Sequence, residues 1–478
     1  MPDARQSPDI SPQPAGWATI VFLIGLAATA VFGNGATPYA LAHSYTMGVG
    51  LSFALSLLVD YRRNVRNLVR ADIMALSSLY FLTLAEFLFP QPEFDSLVRS
   101  LDIKPALNAC LLGFAALAVG RHYSPAVPAG LMRLTRIEPR REVSIILFSI
   151  CFFGGFLNML VAVDYDVGTM VHFFMEPRFG QPWGRGKFGD WRALFYEFTM
   201  ALYLVPPIAG VVLAERRKYS LWQIIYVAAA LGFTFFYGYT SGTRNIFATY
   251  LATFLVAYAF TAGRQRRKEI LVLAAVTVAV MVYATSSMLE FRNIGFYNYL
   301  QGAKESDLPK DRTRFLVDNN LSVIAALMQV FPQKHDYLGL EIPYLALIRP
   351  IPRAIWPGKP EGMSLSIEEA LGAAEGYTLA ASFVGEAYMS GGLFGVILCG
   401  LVFGVIMAWW NRLGSERNSS FGYLIYASGF FAAVMSMRSL LVFTTTILPT
   451  ILLIIFGSWL VQVGLDHRRH GRAAASGH

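Results

Sequence analysis

The segment 349–360, RPIPRAIWPGKP, concentrates the residues best suited to chemistry on a phosphate group. It carries Arg349, Arg353 and Lys359 among four prolines and a tryptophan, and it lies between long apolar segments. Proline lacks an N–H and has a fixed φ, so the sequence predicts a stiff, irregular loop here rather than a helix. Cations on such a loop at a lipid surface suit a substrate that carries phosphate.

Three further arginines lie at the ends of apolar segments where a purely structural role is strained. Arg244 follows the helix-breaking Gly242 in SGTRN, Arg292 comes just after a long apolar segment, and Arg438 separates the last two apolar segments. The planar guanidinium fork matches phosphate oxygens, and a helix N-terminus beside Arg244 would add free N–H groups. Taken singly, each arginine is equally compatible with a side chain that reaches toward lipid headgroups.

Glu386, in SFVGEAYMSGG, is the best candidate for a general base because it lies near the start of an apolar segment. The alternative is a structural pairing with one of the arginines. Glu290 is a weaker candidate, since Arg292 lies close enough along the chain to pair with it.

The remaining polar candidates favour structural roles. The pair Asp164 and Asp166 has a D-x-D spacing that can hold a divalent cation, but it can equally close a helix. His172 and His335 fit solvated loop positions better than a catalytic role. Three tryptophans fit an interfacial belt, with stacking on sugar rings as the alternative: Trp183, Trp191 and Trp356. No metal and no cofactor is expected.

Composition sets the elements that must position these residues. The chain has 478 residues, of which 55% are hydrophobic and 15% are charged, against about 25% charged in soluble proteins. Apolar runs long enough to cross a bilayer predict an all-α, polytopic membrane protein. Twelve spans are predicted, at 17–33, 39–59, 71–89, 105–120, 143–163, 191–214, 220–240, 246–263, 270–288, 384–410, 421–437 and 440–464.

The charges of the connectors predict the orientation. The basic connectors are 61–70, 121–142, 215–218, 264–268 and the tail 467–472. The positive-inside rule places them in the cytoplasm together with both termini. The predicted segments are a cytoplasmic tail (1–16), spans one to nine (17–288), a periplasmic loop (289–383), spans ten to twelve (384–464) and a cytoplasmic tail (465–478). Because the cations lie at the ends of apolar segments, nucleic acid is not an expected partner.

The long outer loop is predicted to be partly helical. Residues 312–331 place apolar side chains at helical spacing, which predicts an amphipathic helix on the bilayer or over a cavity. Ser366 and Glu369 have the spacing of a capping box, which predicts a short helix over 367–373. Small residues from Gly391 to Gly404 predict close approach of helices.

Three features together resemble the Wzy-type O-antigen and exopolysaccharide polymerases. They are Gly242-Thr243-Arg244 at the outer end of a mid-chain helix, the loop 349–360 followed by Ser382 to Gly392, and the late Arg438. The resemblance covers roughly residues 140–450 and rests on the order and sidedness of short motifs.

The resemblance implies a multi-helix, GT-C-like glycosyltransferase of the bacterial inner membrane. Such enzymes join oligosaccharide repeat units carried on undecaprenyl diphosphate at the periplasmic face, and a chain-length regulator (copolymerase) is a conceivable partner. Arg244, Arg353 and Arg438 are then expected to bind the diphosphate, with Arg292, Arg349 and Lys359 assisting. Glu386 is expected to accept the proton of the acceptor hydroxyl. His335 lacks the ligase-type histidine motif, which favours a polymerase over an O-antigen ligase.

A transporter or flippase for an anionic lipid-linked saccharide is the main alternative. A transporter places polar groups along a path near the bilayer midplane. Most cations here lie at the outer boundary, which favours interfacial chemistry.

Overall fold

The computed structural model describes residues 13–63, 67, 69–177, 180–183, 198–263, 266–303, 319–351, 356, 358–360, 362–373, 379–414 and 419–460. Within these ranges every regular element is a helix. The first nine α-helices are α1 Gly16–Phe32, α2 Pro38–Arg63, α3 Ala71–Thr83, α4 Phe94–Leu97, α5 Lys104–Gly120, α6 Ala129–Leu134, α7 Arg141–Ala162, α8 Val167–Phe174 and α9 Val205–Ala214. The others are α10 Leu221–Thr240, α11 Arg244–Ala262, α12 Arg267–Phe291, α13 Phe296–Leu300, α14 Asn320–Val330, α15 Glu341–Ile348, α16 Ile367–Leu371, α17 Ser382–Arg412, α18 Ser420–Arg438 and α19 Phe443–Leu452.

Seven of the described helices are long and apolar enough to cross a membrane: Pro38–Arg62, Arg141–Ala162, Leu221–Thr240, Arg244–Ala262, Ser382–Arg412, Ser420–Arg438 and Leu440–Leu460. The last of these joins a short 3-10 turn, α19 and a π-helical turn. Helical structure occurs within all twelve predicted spans, but several of these helices are short. The all-helical membrane class is therefore confirmed, while the number of twelve spans stays a prediction.

The chain divides into two compact units that are each built from separate stretches. The first unit comprises Met1–Pro128, Lys310–Glu416 and Ala432–Thr446. The second comprises Ala129–Pro309, Arg417–Phe431 and Ile447–His478. The outer-loop residues 319–373 thus belong to the first unit together with α1 to α5 and α17.

Close packing of α5 on α17 forms the centre of the first unit. A Cβ on Gly404 would lie 2.5 Å from the Leu117 carbonyl oxygen, and one on Gly120 would lie 2.2 Å from the Leu401 carbonyl oxygen. Only glycine fits at such distances, so the backbones of the two helices approach closely. The predicted role of the small residues in α17 is confirmed at Gly404.

Helix α17 is broken in its first half. Gly391 and Gly392 have non-helical backbone angles, and Gly392 has a φ of 63° that favours glycine. At this break the Leu338 N–H donates to the Met389 carbonyl at 2.8 Å, and the Tyr337 hydroxyl lies over Gly392. The sequence predicts one uninterrupted span over 384–410, whereas the chain folds back at the glycine pair and brings the Phe383 and Phe403 rings to 5.7 Å.

The amphipathic pattern in the outer loop forms a shorter and more buried helix than predicted. Helix α14 begins at Asn320, and the predicted residues 312–318 lie outside the described ranges. Leu321, Ile324 and Leu327 are fully buried, and the Asn320 amide donates to the Leu82 carbonyl at 2.8 Å. The helix therefore packs into the first unit. The predicted capping box is confirmed at Ser366 and Glu369, and it begins α16.

In the second unit, α11 and α12 pack through an apolar cluster that includes Phe247, Leu251, Met288 and Phe291. Polar contacts join the connectors at the end of this unit away from Gly242. Lys218 contacts Glu138 at 2.9 Å and Glu215 at 2.8 Å, and Arg266 donates to the Ala214 carbonyl. The three predicted cytoplasmic connectors of this unit therefore lie at one end of it.

Candidate functional site

Glu386 lies in the first turns of α17, before the break at Gly391. Its side chain is 4% exposed. One carboxylate oxygen, Oε2, accepts a hydrogen bond from the Leu440 N–H at 2.6 Å and a longer one from the Leu441 N–H at 3.4 Å. The Ser439 side chain hydrogen-bonds to the carboxylate as well. Glu386 is thus held by the first residues of the last apolar helix.

Two candidate arginines, Arg349 and Arg438, belong to other elements that lie near this carboxylate. Arg438 is the last residue of α18, one residue before Ser439. Arg349 follows the end of α15, and its charge interacts electrostatically with the Glu386 carboxylate. The Thr444 hydroxyl donates to the Ala346 carbonyl and ties the helix after Leu440 to α15. The first unit therefore brings the Glu386 carboxylate near the charge of Arg349 and near the backbone that carries Arg438.

Lys359 has a defined role in the described part of the proline-rich loop. Its ammonium group donates to the Arg349 carbonyl at 2.7 Å and to the Ile351 carbonyl at 3.0 Å. These carbonyls follow the C-terminus of α15, where cations are favourable. Lys359 therefore stabilises the turn that carries Arg349. Arg353 and Trp191 lie outside the described residues.

The second unit brings together Arg244 and Arg292. Gly242 has a φ of 62°, and a Cβ there would lie 3.3 Å from the Cα of Arg292. Helix α11 then begins at Arg244, so the predicted break and helix start are both confirmed. The buried Nε of Arg292 has no hydrogen-bond partner among the described residues. An Nε donor without an acceptor, close to a helix N-terminus, makes the local electrostatic potential positive.

The D-x-D pair has a structural explanation. Asp166 caps α8 by accepting from the Gly168 N–H at 2.8 Å and from the Thr169 hydroxyl at 2.6 Å. These bonds lower the pKa of the Asp166 carboxyl, beginning with the one from Thr169. No group of three or more side chains suited to a metal occurs among the described residues.

The other predicted polar and aromatic residues also have local partners. His172 pairs with Glu176 at 3.7 Å, and the His335 ring lies 6.0 Å from that of Phe331. Trp183 is buried against Phe174, with ring centroids 5.6 Å apart, so it lies in a core rather than in an interfacial belt. The Trp356 carbonyl accepts from the Lys359 N–H.

The first unit also contains a buried ionic cluster that was not predicted from the sequence. Asp72 accepts from Arg70 Nε at 2.9 Å and contacts Arg121 at 3.3 Å, and Arg70 also contacts Asp60 at 2.8 Å. All four of these side chains are at most 1% exposed. The Asn411 amide donates to Asp72 at 2.6 Å, and its oxygen accepts from the Ala71 N–H.

This cluster joins ends of α2, α3, α5 and α17. The Arg121 Nη2 donates to the Thr19 hydroxyl of α1 at 2.6 Å, and Thr19 contacts the His122 Nε2 at 2.7 Å. The acids Asp60 and Asp72 on either side of a basic connector are the sequence signal that could have indicated it. We name these residues, Thr19, Asp60, Arg70, Asp72, Arg121, His122 and Asn411, the ionic cluster.

Comparison with known proteins identifies one family-level similarity. Residues 285–448 match a family model described as a domain of unknown function, DUF8712. The match covers roughly a third of the chain and includes all the predicted site residues except Arg244. No curated protein is significantly similar to this chain. No solved structure is significantly similar to it either.

Proposed function

We propose that this protein is a membrane glycosyltransferase that joins oligosaccharide units carried on a lipid diphosphate. In its most specific form, the proposal is a polymerase of O-antigen or exopolysaccharide repeat units on undecaprenyl diphosphate, acting at the periplasmic face of the bacterial inner membrane. The observation that supports this proposal is the buried Glu386, whose carboxylate interacts with the charge of Arg349 and accepts from the Leu440 N–H two residues after Arg438.

The reaction requires that a departing diphosphate be stabilised. The anomeric C–O bond breaks and its electron pair goes to the diphosphate oxygen, while the acceptor hydroxyl oxygen bonds to the anomeric carbon and loses its proton. Preorganised guanidinium groups stabilise the negative charge that develops on the leaving group. Arg349 and Arg438 would take this role in the first unit. Arg244 and Arg292 form the second pair of candidates, and Arg353 remains a predicted ligand.

The arrangement of connectors supports the proposed sidedness. Within the first unit, the ionic cluster joins the ends of helices beside the connectors 61–70 and 121–142. Glu386 lies at the start of α17, whereas Asn411 of the ionic cluster lies at its end. The Phe383 and Phe403 rings lie 5.7 Å apart, so the residues before the break fold back along α17 and only part of that helix separates Glu386 from Asn411. The proposed sidedness therefore rests on the charges of the connectors and the positive-inside rule.

A transporter of an anionic lipid-linked saccharide is the second candidate function. The observation that favours it is the broken helix α17, because interrupted helices frequently form substrate sites in transporters. In that case the same arginines would guide the headgroup without cleaving it.

Reconstitution of the purified protein separates these functions. The protein is placed in liposomes with a lipid-diphosphate-linked oligosaccharide, and products are resolved by gel electrophoresis. A ladder of longer glycans is the expected result. Translocation of the lipid without new glycosidic bonds would support the transporter, and a single transfer to a different acceptor lipid would support a ligase. A preparation that catalyses no glycan transfer with any of several donors would contradict the glycosyltransferase proposal.

A further inference from the structure

The turn between α18 and the last apolar helix depends on a side chain from another helix. Ser439 is extended, with φ −159° and ψ 128°, and the helix restarts at Leu440. The first N–H groups of a helix have no partner within it and need an outside acceptor. The Glu386 carboxylate supplies that acceptor to Leu440 and Leu441. It therefore performs the task of an N-cap side chain from α17.

The same bonds fix the neighbouring arginine. Arg438 is separated from the anchored Leu440 by one residue, so a change at the anchor shifts the backbone from which the guanidinium extends. The Thr444 bond to Ala346 links this segment to the helix that ends beside Arg349.

These contacts leave Glu386 poorly placed to accept a proton from substrate. Its carboxylate is buried and already accepts from two backbone N–H groups and from Ser439. A general base needs a lone pair within hydrogen-bond reach of the hydroxyl that it deprotonates. A carboxylate occupied by its own chain fits a positioning role better than proton transfer.

We infer that Glu386 is a positioning residue that holds the segment 438–441, and through it Arg438, in the orientation that receives an anionic diphosphate. This inference rests on the proposed function and replaces the predicted role of Glu386 as general base. It assigns Glu386 to substrate recognition and leaves the proton to another group or to solvent.

Two substitutions at one position separate positioning from proton transfer. In Glu386→Gln the amide oxygen can still accept from Leu440 and Leu441, so turnover is expected to stay within a few-fold of the parent protein with an unchanged pH profile. Glu386→Ala removes the acceptor, and we expect a loss of about 10²-fold in turnover together with a higher KM for the lipid-diphosphate donor. Glu369→Gln is the control, because Glu369 caps the separate helix α16.

Hydrogen exchange provides a readout that does not depend on activity. In reconstituted protein, exchange at the Leu440 and Leu441 amides is expected to be slow in the parent and in Glu386→Gln, and faster in Glu386→Ala. The Glu369→Gln control should leave both amides unchanged. Equal exchange in the parent and in Glu386→Ala would show that Glu386 does not hold the segment.

The two proposals can fail separately. If the parent makes polymer and Glu386→Gln loses about 10²-fold or more of the turnover with normal exchange, Glu386 is a general base and the positioning role is wrong. If the parent catalyses no glycan transfer, the proposed function fails, while the exchange rates still decide whether Glu386 anchors the segment that carries Arg438.

Discussion

Two buried carboxylates of the first unit, Asp72 and Glu386, are held by different kinds of partner. Asp72 is surrounded by the guanidinium groups of Arg70 and Arg121 and by the Asn411 amide. Glu386 accepts from the backbone N–H groups of Leu440 and Leu441 and interacts electrostatically with Arg349. In the ionic cluster, a carboxylate that is fully paired with side chains holds the ends of several helices together. A carboxylate that accepts from backbone N–H groups anchors a chain segment instead of joining side chains.

The largest effect on folding is expected at Asp72. Asp72→Leu leaves Arg70 and Arg121 buried without their shared partner, which costs about 3–5 kcal/mol. We expect little folded protein in membranes and a much lower melting temperature in detergent. Asp102→Leu is the control, since Asp102 is exposed and accepts only from the Lys104 N–H. Melting of Asp72→Leu close to that of the parent would show that the ionic cluster does not stabilise the fold.

The largest effect on activity without loss of folding is expected at Arg438. If Arg438 stabilises the departing diphosphate as proposed, turnover of Arg438→Ala in the ladder assay should fall by about 10²- to 10³-fold. Its melting temperature should stay near that of the parent. Arg141→Ala serves as the control because Arg141 is exposed and pairs with Glu142. Normal polymer from Arg438→Ala would remove this arginine from the proposed site.

An intermediate effect is expected at Asn411, which carries no charge. Asn411→Leu leaves the Ala71 N–H without its acceptor and removes one of two donors to Asp72 Oδ1, which keeps Arg70 Nε. A buried unsatisfied group costs about 1–3 kcal/mol. A drop in melting temperature smaller than that of Asp72→Leu is the expected result. The matched control is Asn298→Leu, where the lost bond is exposed. A drop as large as that of Asp72→Leu would mean that hydrogen bonding, rather than charge pairing, dominates the cluster.

The smallest effect is a pH dependence at His122. Thr19 accepts from two nitrogens of Arg121, so its hydroxyl proton points to His122 Nε2, which must be unprotonated. Burial and then the charge of Arg121 lower the pKa of His122 from 6.5; Arg70 also lowers it, while Asp72 and Asp60 oppose this. Because the folded pKa lies below the unfolded one, stability is complete above about pH 6.5 and falls as pH drops through that window.

Melting curves of the parent and of His122→Gln between about pH 5.5 and pH 7.5 test this dependence. The parent should lose more stability on acidification than the variant, because glutamine does not titrate. Identical slopes for the two proteins would show that His122 does not report on the ionic cluster.

Local sequence signals predicted the helices and several of their ends. Apolar runs located helical structure in every predicted span, the capping box began α16 at Ile367, and Gly242 separated α10 from α11. Such features depend on residues close together in the chain. The helix lengths were predicted less accurately. The break at Gly391 and the early end of α3 depend on the segments that pack against them.

The site was only partly predictable for the same reason. Glu386, Arg349 and Arg438 were identified by residue type, but the partners of Glu386 are backbone N–H groups, which leave no signature in the sequence. The ionic cluster was missed because Asp72 and Asn411 are separated by 339 positions. Direct packing of α3 on α17 brings the two residues together in the structure.

At the break in α17, a backbone carbonyl of the helix accepts a hydrogen bond from the segment around Leu338. In a regular helix the Met389 carbonyl would accept from the residue four positions later, whereas here it accepts from Leu338. If this segment withdrew, the carbonyl of the buried Met389 would lose the Leu338 donor, which is unfavourable for a buried acceptor. The position of residues 337–338 and the conformation of α17 at Gly391-Gly392 are therefore linked through one backbone hydrogen bond.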